Sequence, residues 1–94
     1  MNFGLPELTE EQTEEVCAVA ENAARKHIFS KVTTKMVENL DISVEAEGSK
    51  PINLTVEVDL VLLPEAKPIN EKTLVHEAVK EAFKAIENYL RKLT

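Results

Sequence analysis

The stretch that decides the fold runs from residue 52 to residue 62 and reads Ile-Asn-Leu-Thr-Val-Glu-Val-Asp-Leu-Val-Leu. Every even-numbered position from Ile52 to Leu62 is aliphatic. The odd positions up to residue 59 are polar: Asn53, Thr55, Glu57 and Asp59. Alternation with a period of two is typical of a β-strand with one buried face. We therefore predict a strand whose even-numbered side chains face the core.

A second stretch with the same period lies just upstream. Its even-numbered residues are Leu40, Ile42, Val44 and Ala46. Gly48 and Pro51 lie between the two stretches, which favours a turn and predicts an antiparallel hairpin. The odd-numbered face is polar and is expected to be solvated, except where Val61 and Leu63 break the alternation. We predict that these two residues contact a neighbouring protein.

A helical pattern precedes the hairpin. Thr9 and Gln12 have the spacing of a capping box, so helix one is expected to begin there. Its predicted buried stripe consists of Val16, Val19, Ala20, Ala23 and His27. The small side chains of Ala20 and Ala24 permit close approach by a partner helix, and we include both in the predicted interface. Residues 28–38 fit a helix or a strand equally well; we place a turn near Ser30 and a strand from around Met36.

A second helical pattern follows the hairpin, with Asn70 as its predicted N-cap. Its central stripe comprises Val75, Ala78, Val79, Ala82, Ile86, Tyr89, Leu90 and Leu93. Leu74, Phe83 and Ala85 widen the apolar arc to about half the circumference, beyond the roughly 100° that covers one core. We predict that these three residues bind a partner.

The elements together predict one α+β domain over residues 1–94. Its two layers follow the order α-β-β-α, with an antiparallel hairpin sheet and both helices on one face. Residues 2–7 contain Gly4 and Pro6 and predict no strand. Because a two-stranded sheet is marginal, we expect a partner chain to complete it.

Composition limits the function. The chain has 94 residues and a formal net charge of -6, which disfavours direct binding to nucleic acid by the isolated chain. Its single cysteine, Cys17, precludes an internal disulfide. The sequence shows neither a signal peptide nor a membrane span, so we expect a cytoplasmic protein. The preference for Glu and Lys resembles the composition of thermophile proteins.

Few residues are candidates for chemistry. His27, His76 and Cys17 have no second Cys or His at metal-ligand spacing, and each is interpreted as structural. Glu57 and Asp59 lie on a strand face without a pocket to separate their pKa values. With two glycines, no phosphate-binding loop can form. We predict no catalytic residue, no cofactor and no metal.

The hydrophobic patterns of Asn39–Gly48 (NLDISVEAEG), Ile52–Asp59 (INLTVEVD) and Thr73–Leu90 (TLVHEAVKEAFKAIENYL) resemble those of a known family. It is the Pcc-type small subunit of the KEOPS complex, which makes the threonylcarbamoyl modification of adenosine in transfer RNA. The chain more closely resembles an archaeal paralogue family of formerly unknown function. The likeness extends over about residues 10–92. One departure is that the standard subunit opens with a strand, which residues 2–7 do not predict.

The resemblance implies a subunit without an active site. It would dimerise and pack its helices on other proteins, as a homodimer or as a heterodimer with a Pcc-type subunit; the KEOPS catalytic subunit is a further candidate partner. Two alternatives remain open. One is a stand-alone homodimer associated with RNA or other nucleic acid, and the other is an enzyme with a site shared between chains, built from His27, Cys17 and nearby carboxylates.

Overall fold

A computed structural model describes residues 2–5, 8–48, 52–66 and 69–93. The strands and helices in these ranges are β1 (Asn2–Leu5), α1 (Glu10–Lys31), β2 (Val37–Glu47), β3 (Ile52–Leu62) and α2 (Glu71–Leu93). Short 3-10 turns at Thr34–Met36 and Pro64–Ala66 lead into β2 and follow β3. The α+β class and the antiparallel β2–β3 hairpin are confirmed.

The sheet contains a strand that the sequence did not predict. Its order is β1-β3-β2, and β1 pairs antiparallel with β3 in the register Asn2 opposite Thr55 and Leu5 opposite Ile52. The expectation of no strand is therefore wrong for residues 2–5, while residues 6 and 7 lie outside the described ranges. A strand of four residues is too short to show a period, and it forms because β3 offers it a backbone edge. The chain thus supplies its own third strand, and the strand-count argument for a partner is lost.

The hairpin has the predicted register towards the core. Even-numbered residues of β2 and β3 face the helices, and those that are buried are Ile42, Ile52, Leu54, Val56 and Leu60. Ala46, near the end of β2, and Glu38, at its irregular start, are exceptions because both are exposed. The odd-numbered residues Asp41, Glu57 and Asp59 are exposed on the other face. The register shifts between Val37 and Asn39, where a β-bulge starts β2.

The start of α1 confirms the capping box. The amide of Gln12 donates to Thr9 Oγ1 at 3.1 Å, and the amide of Thr9 donates to Gln12 Oε1 at 3.0 Å. The predicted stripe is correct at Val16 and Ala20 but wrong at its other positions, because the buried row continues through Ala24 and Ile28. Val19, Ala23 and His27 lie beside this row and are half-buried. Alanines occupy neighbouring faces of α1 and are equally hydrophobic. They therefore do not determine which of these faces is buried.

The apolar arc of α2 is covered within the chain. The N-cap is confirmed, because Asn70 Oδ1 accepts a hydrogen bond from the amide of Thr73 at 3.1 Å. The buried residues of α2 are Leu74, Ala78, Val79, Ala82 and Ile86. α1 lies over β2, α2 lies over β3, and the two helices pack against each other. A helix that packs on both a sheet and a second helix needs a wider apolar arc than one that covers a sheet alone.

Candidate functional site

A groove lies between α2 and one edge of β3. Among the described residues, β1 pairs with Ile52–Thr55, with Asn2 opposite Thr55, and the edge of β3 continues beyond Thr55. The adjoining cavity has a volume of about 500 Å³. We call it the β3 edge groove; its lining residues are Val58, Asp59 and Leu60 from the strand and Glu71, Lys72, Val75, His76 and Val79 from the helix. Val58 and Leu60 from the strand and Val75 and Val79 from the helix give this groove an aliphatic lining.

One rim of the β3 edge groove is polar. The Glu71 carboxylate, in the first turn of α2, accepts a hydrogen bond through Oε2 from the backbone amide of Leu62 at 3.1 Å. Lys72 and His76 follow on the helix and are exposed. This rim can donate and accept hydrogen bonds with a bound chain.

The face of the hairpin opposite the helices, which we call the open face, is acidic. Its carboxylates are Asp41, Glu45, Glu47, Glu57 and Asp59. Asp41 lies directly opposite Asp59 in the antiparallel register, and Ser43 lies opposite Glu57. No lysine or arginine occupies an odd-numbered position of β2 or β3. The open face is therefore expected to attract cationic groups and to repel nucleic acid.

The two histidines lie in different settings. His27 Nε2 is 3.2 Å from Glu77 Oε1, a contact that joins α1 to α2, and the imidazole is 18% exposed. His76 lines the β3 edge groove. Among the described residues, no group of three His, Cys, Asp or Glu side chains could hold a metal ion. Burial raises the pKa of the half-buried Cys17 thiol above its ordinary value, which makes it a weak nucleophile at neutral pH.

The residues predicted to bind a partner fall into two groups. Ala20, Ala24 and Leu74 are buried in the core of the chain itself, with exposed fractions of 0%, 0% and 3%. The premise that these three are uncovered is wrong, because α1, α2 and the sheet enclose them. The other four retain accessible surface: Val61 is exposed, and Leu63, Phe83 and Ala85 are half-buried. Their role in binding stays a prediction.

Two features of the structure were not predicted from the sequence. Phe29 is 36% exposed near the end of α1, within the stretch whose secondary structure was ambiguous. The β3 edge groove adjoins the edge on which β1 pairs, and because β1 was not predicted, this edge could not be located from the sequence. Val75 and Val79 were assigned to the core stripe, and only the position of the sheet edge shows that both also line a groove.

Comparison with known proteins places the chain in a family. Residues 5–89 match the family described as a protein of unknown function, DUF3194. The chain belongs to this family. It is similar to an uncharacterized protein of Thermococcus kodakarensis, with 32% identity and coverage of 99% of this chain and 85% of the relative. An uncharacterized protein of Methanothermobacter thermautotrophicus is 28% identical, over 94% of each chain. These relatives are archaeal.

Two solved structures share the fold. A crystal structure from Thermococcus onnurineus has a TM-score of 0.86 and 28% identity, and the match covers 98% of this chain and 88% of that one. The solution structure of a hypothetical protein from Methanothermobacter thermautotrophicus has a TM-score of 0.66 and 26% identity, over 94% of each chain. Separately, in the described ranges neither α1 nor α2 is apolar enough over its length to span a membrane.

Proposed function

We propose that this protein is a non-catalytic subunit that binds other proteins, as an accessory subunit of the KEOPS complex that makes threonylcarbamoyladenosine in transfer RNA. The observation that carries the proposal is the pairing of β1 with β3. With β1, the element order becomes strand, helix, strand, strand, helix, which is the order expected of a Pcc-type subunit. The one departure noted from the sequence is thereby removed for residues 2–5.

The surface supports an interaction role. Val61 and Leu93 are 44% and 43% exposed, and Phe29 is 36% exposed. Val61 lies on the otherwise polar open face, and Leu63 follows it at the end of β3. Exposed large aliphatic and aromatic side chains can serve as anchors of a protein interface. We propose that Val61, Leu63, Phe83 and Ala85 form part of the interface with a Pcc-type or catalytic subunit.

The titratable groups favour a binding role over catalysis. Catalytic acids and bases need pKa values matched to their task. Burial keeps the Cys17 thiol protonated, and His27 is engaged by Glu77 between the helices. The protonated thiol opposes an enzyme that uses Cys17 as its nucleophile, which supports the non-catalytic role.

Co-purification tests this proposal. The tagged chain would be co-expressed with the Pcc-type subunit and with the catalytic subunit of the same archaeon, and each mixture would be analysed by size-exclusion chromatography with light scattering. We expect co-elution with the Pcc-type subunit. Val61→Asp should weaken the association, while Asn53→Asp, the same charge change on the same face at the other end of β3, should not.

Two outcomes would reject the proposal. One is a 10.5 kDa monomer in the presence of both subunits. The other is a homodimer that binds transfer RNA by fluorescence anisotropy without any KEOPS subunit. That result would favour a stand-alone protein associated with RNA, despite the acidic open face.

A further inference from the structure

The edge of β3 beyond Thr55 has no partner strand within the described residues. Successive residues of a strand direct their N–H and C=O groups to opposite sides. The amide of Leu63 donates to Met36 O on the β2 side at 2.8 Å, whereas the amide of Leu62 donates to Glu71 Oε2 on the other side. By this alternation, Leu60 and Val58 direct their backbone groups to the same side as Leu62. No strand within the described ranges pairs with Val56–Leu62 on that side.

The two flanks of this edge differ in chemistry. On the helix side, the β3 edge groove is lined by the aliphatic side chains of Val58, Leu60, Val75 and Val79. On the open face, the positions next to the edge carry the exposed carboxylates of Glu57 and Asp59. An added strand would place alternate side chains on these two flanks. The side chains on the helix side would be apolar and would enter the β3 edge groove. The side chains on the open face would be cationic.

We propose that the β3 edge at Val58 and Leu60, next to the hydrogen-bonded amide of Leu62, binds an extended segment of a partner protein in which apolar residues alternate with Lys or Arg. The segment would continue the line of β1 along the same edge, as in recognition by strand addition. Backbone hydrogen bonds would come from Val58 and Leu60. The carboxylates of Glu57 and Asp59 would select the basic row.

Charge disfavours a second copy of this chain as the occupant. Pairing with β3 of a second copy would bring Glu57 and Asp59 against the same carboxylates. Pairing with β2 of a second copy would bring Asp41, Glu45 and Glu47 to the same flank. Like charges opposite each other in a sheet are destabilising, so a basic segment fits where the chain itself does not. This inference rests on the proposed function only in that the chain binds proteins, and it does not require KEOPS membership.

Peptide titration of the full chain, followed by NMR, tests the inference. The probe is a nine-residue peptide that alternates Val and Lys, with two matched peptides: one carries Glu in place of Lys, and one has N-methylated backbone amides. We expect the Lys peptide to shift the amide resonances of Val56–Leu62 and to slow hydrogen exchange at Val58 and Leu60. The N-methylated peptide should leave both unchanged, because it cannot pair with an edge.

Paired variants test the role of charge. Glu57→Gln with Asp59→Asn should weaken binding of the Lys peptide about tenfold. Glu45→Gln with Glu47→Gln removes the same charge from β2 and should have a much smaller effect. Equal weakening by both pairs, or equal binding of the Glu peptide, would contradict the basic row.

Other results would overturn the site itself. Shifts that map to the β2 edge, or equal binding of the N-methylated peptide, would exclude strand addition at β3. A further outcome is that the amides of Val58 and Leu60 exchange hydrogen slowly in the protein alone and faster on dilution. That result would show that a second copy occupies the edge. The titration uses this chain alone, so its failure is distinguishable from failure of the co-purification with KEOPS subunits.

Discussion

The hydroxyl of Tyr89 donates a 2.7 Å hydrogen bond to Oε2 of Glu15, which joins the end of α2 to the beginning of α1. This hydrogen bond is the main cause that raises the pKa of Tyr89 to about 12, with smaller contributions from desolvation and from the charges of Glu15 and Glu11. A tyrosinate has no proton to donate and is repelled by the carboxylate. The two helices are therefore joined at this point only while Tyr89 is protonated.

Tyr89→Phe should lower the free energy of unfolding at neutral pH and change its dependence on pH. The raised pKa belongs to the folded state, so the contribution is fully present below the ordinary value of 10.0 and is lost as pH rises to about 12. Urea unfolding of both proteins should give a difference that disappears in this interval. Tyr89 is the single tyrosine, so phenolate absorbance reports its titration directly. A midpoint near 10.0 in the wild-type protein, unchanged in Glu15→Gln, would contradict the assignment.

Leu54→Ala should destabilise the domain strongly. Leu54 is 0% exposed in the core, and truncation of a buried leucine costs about 2–5 kcal/mol. The matched control is Asn53→Ala, at the neighbouring exposed position of β3, which should change stability by no more than about 0.5 kcal/mol. Chemical denaturation measures both. Equal losses would show that the even-numbered face of β3 is not the core face.

Leu74→Asp should unfold the protein, and Val61→Asp should leave it folded. Leu74 is 3% exposed, and an unpaired buried carboxylate costs several kcal/mol, a large part of the roughly 5–15 kcal/mol that holds a domain together. Val61 is 44% exposed, so its substitution exposes little new apolar surface to water. Circular dichroism melting distinguishes the two. A folded Leu74→Asp variant would restore Leu74 as an interface residue.

Asp41→Asn should stabilise the protein at low salt. Asp41 and Asp59 lie opposite each other across β2 and β3, and relief of a like-charge pair in a sheet is worth roughly 0.2–1 kcal/mol. The gain should fall as salt is added, because exposed charges are screened over about 10 Å at 0.1 M ionic strength. Denaturation at two salt concentrations tests this. A gain that persists in high salt would point to a cause other than repulsion.

The sequence predicted those elements whose determinants are local. The alternation in β3, the capping box of Thr9 and Gln12 and the N-cap Asn70 each depend on neighbouring residues, and all three are present. β1 was missed because it depends on an edge supplied from far along the chain. Leu74 was predicted to be uncovered for a related reason. The sequence of α2 alone does not show whether its apolar arc is covered by α1 or by a partner.

The distance along the chain between β1 and β3 has a consequence for synthesis. The residues of β1 are synthesised before the rest of this fold, whereas their pairing partners on β3 follow about 50 residues later. The β2–β3 hairpin has a local turn and can form early, whereas closing β1 onto β3 is a long-range contact of the kind that slows folding. Until then the whole edge of β3 is uncovered, so the nascent protein is exposed to mispairing with other strands for longer than its small size suggests.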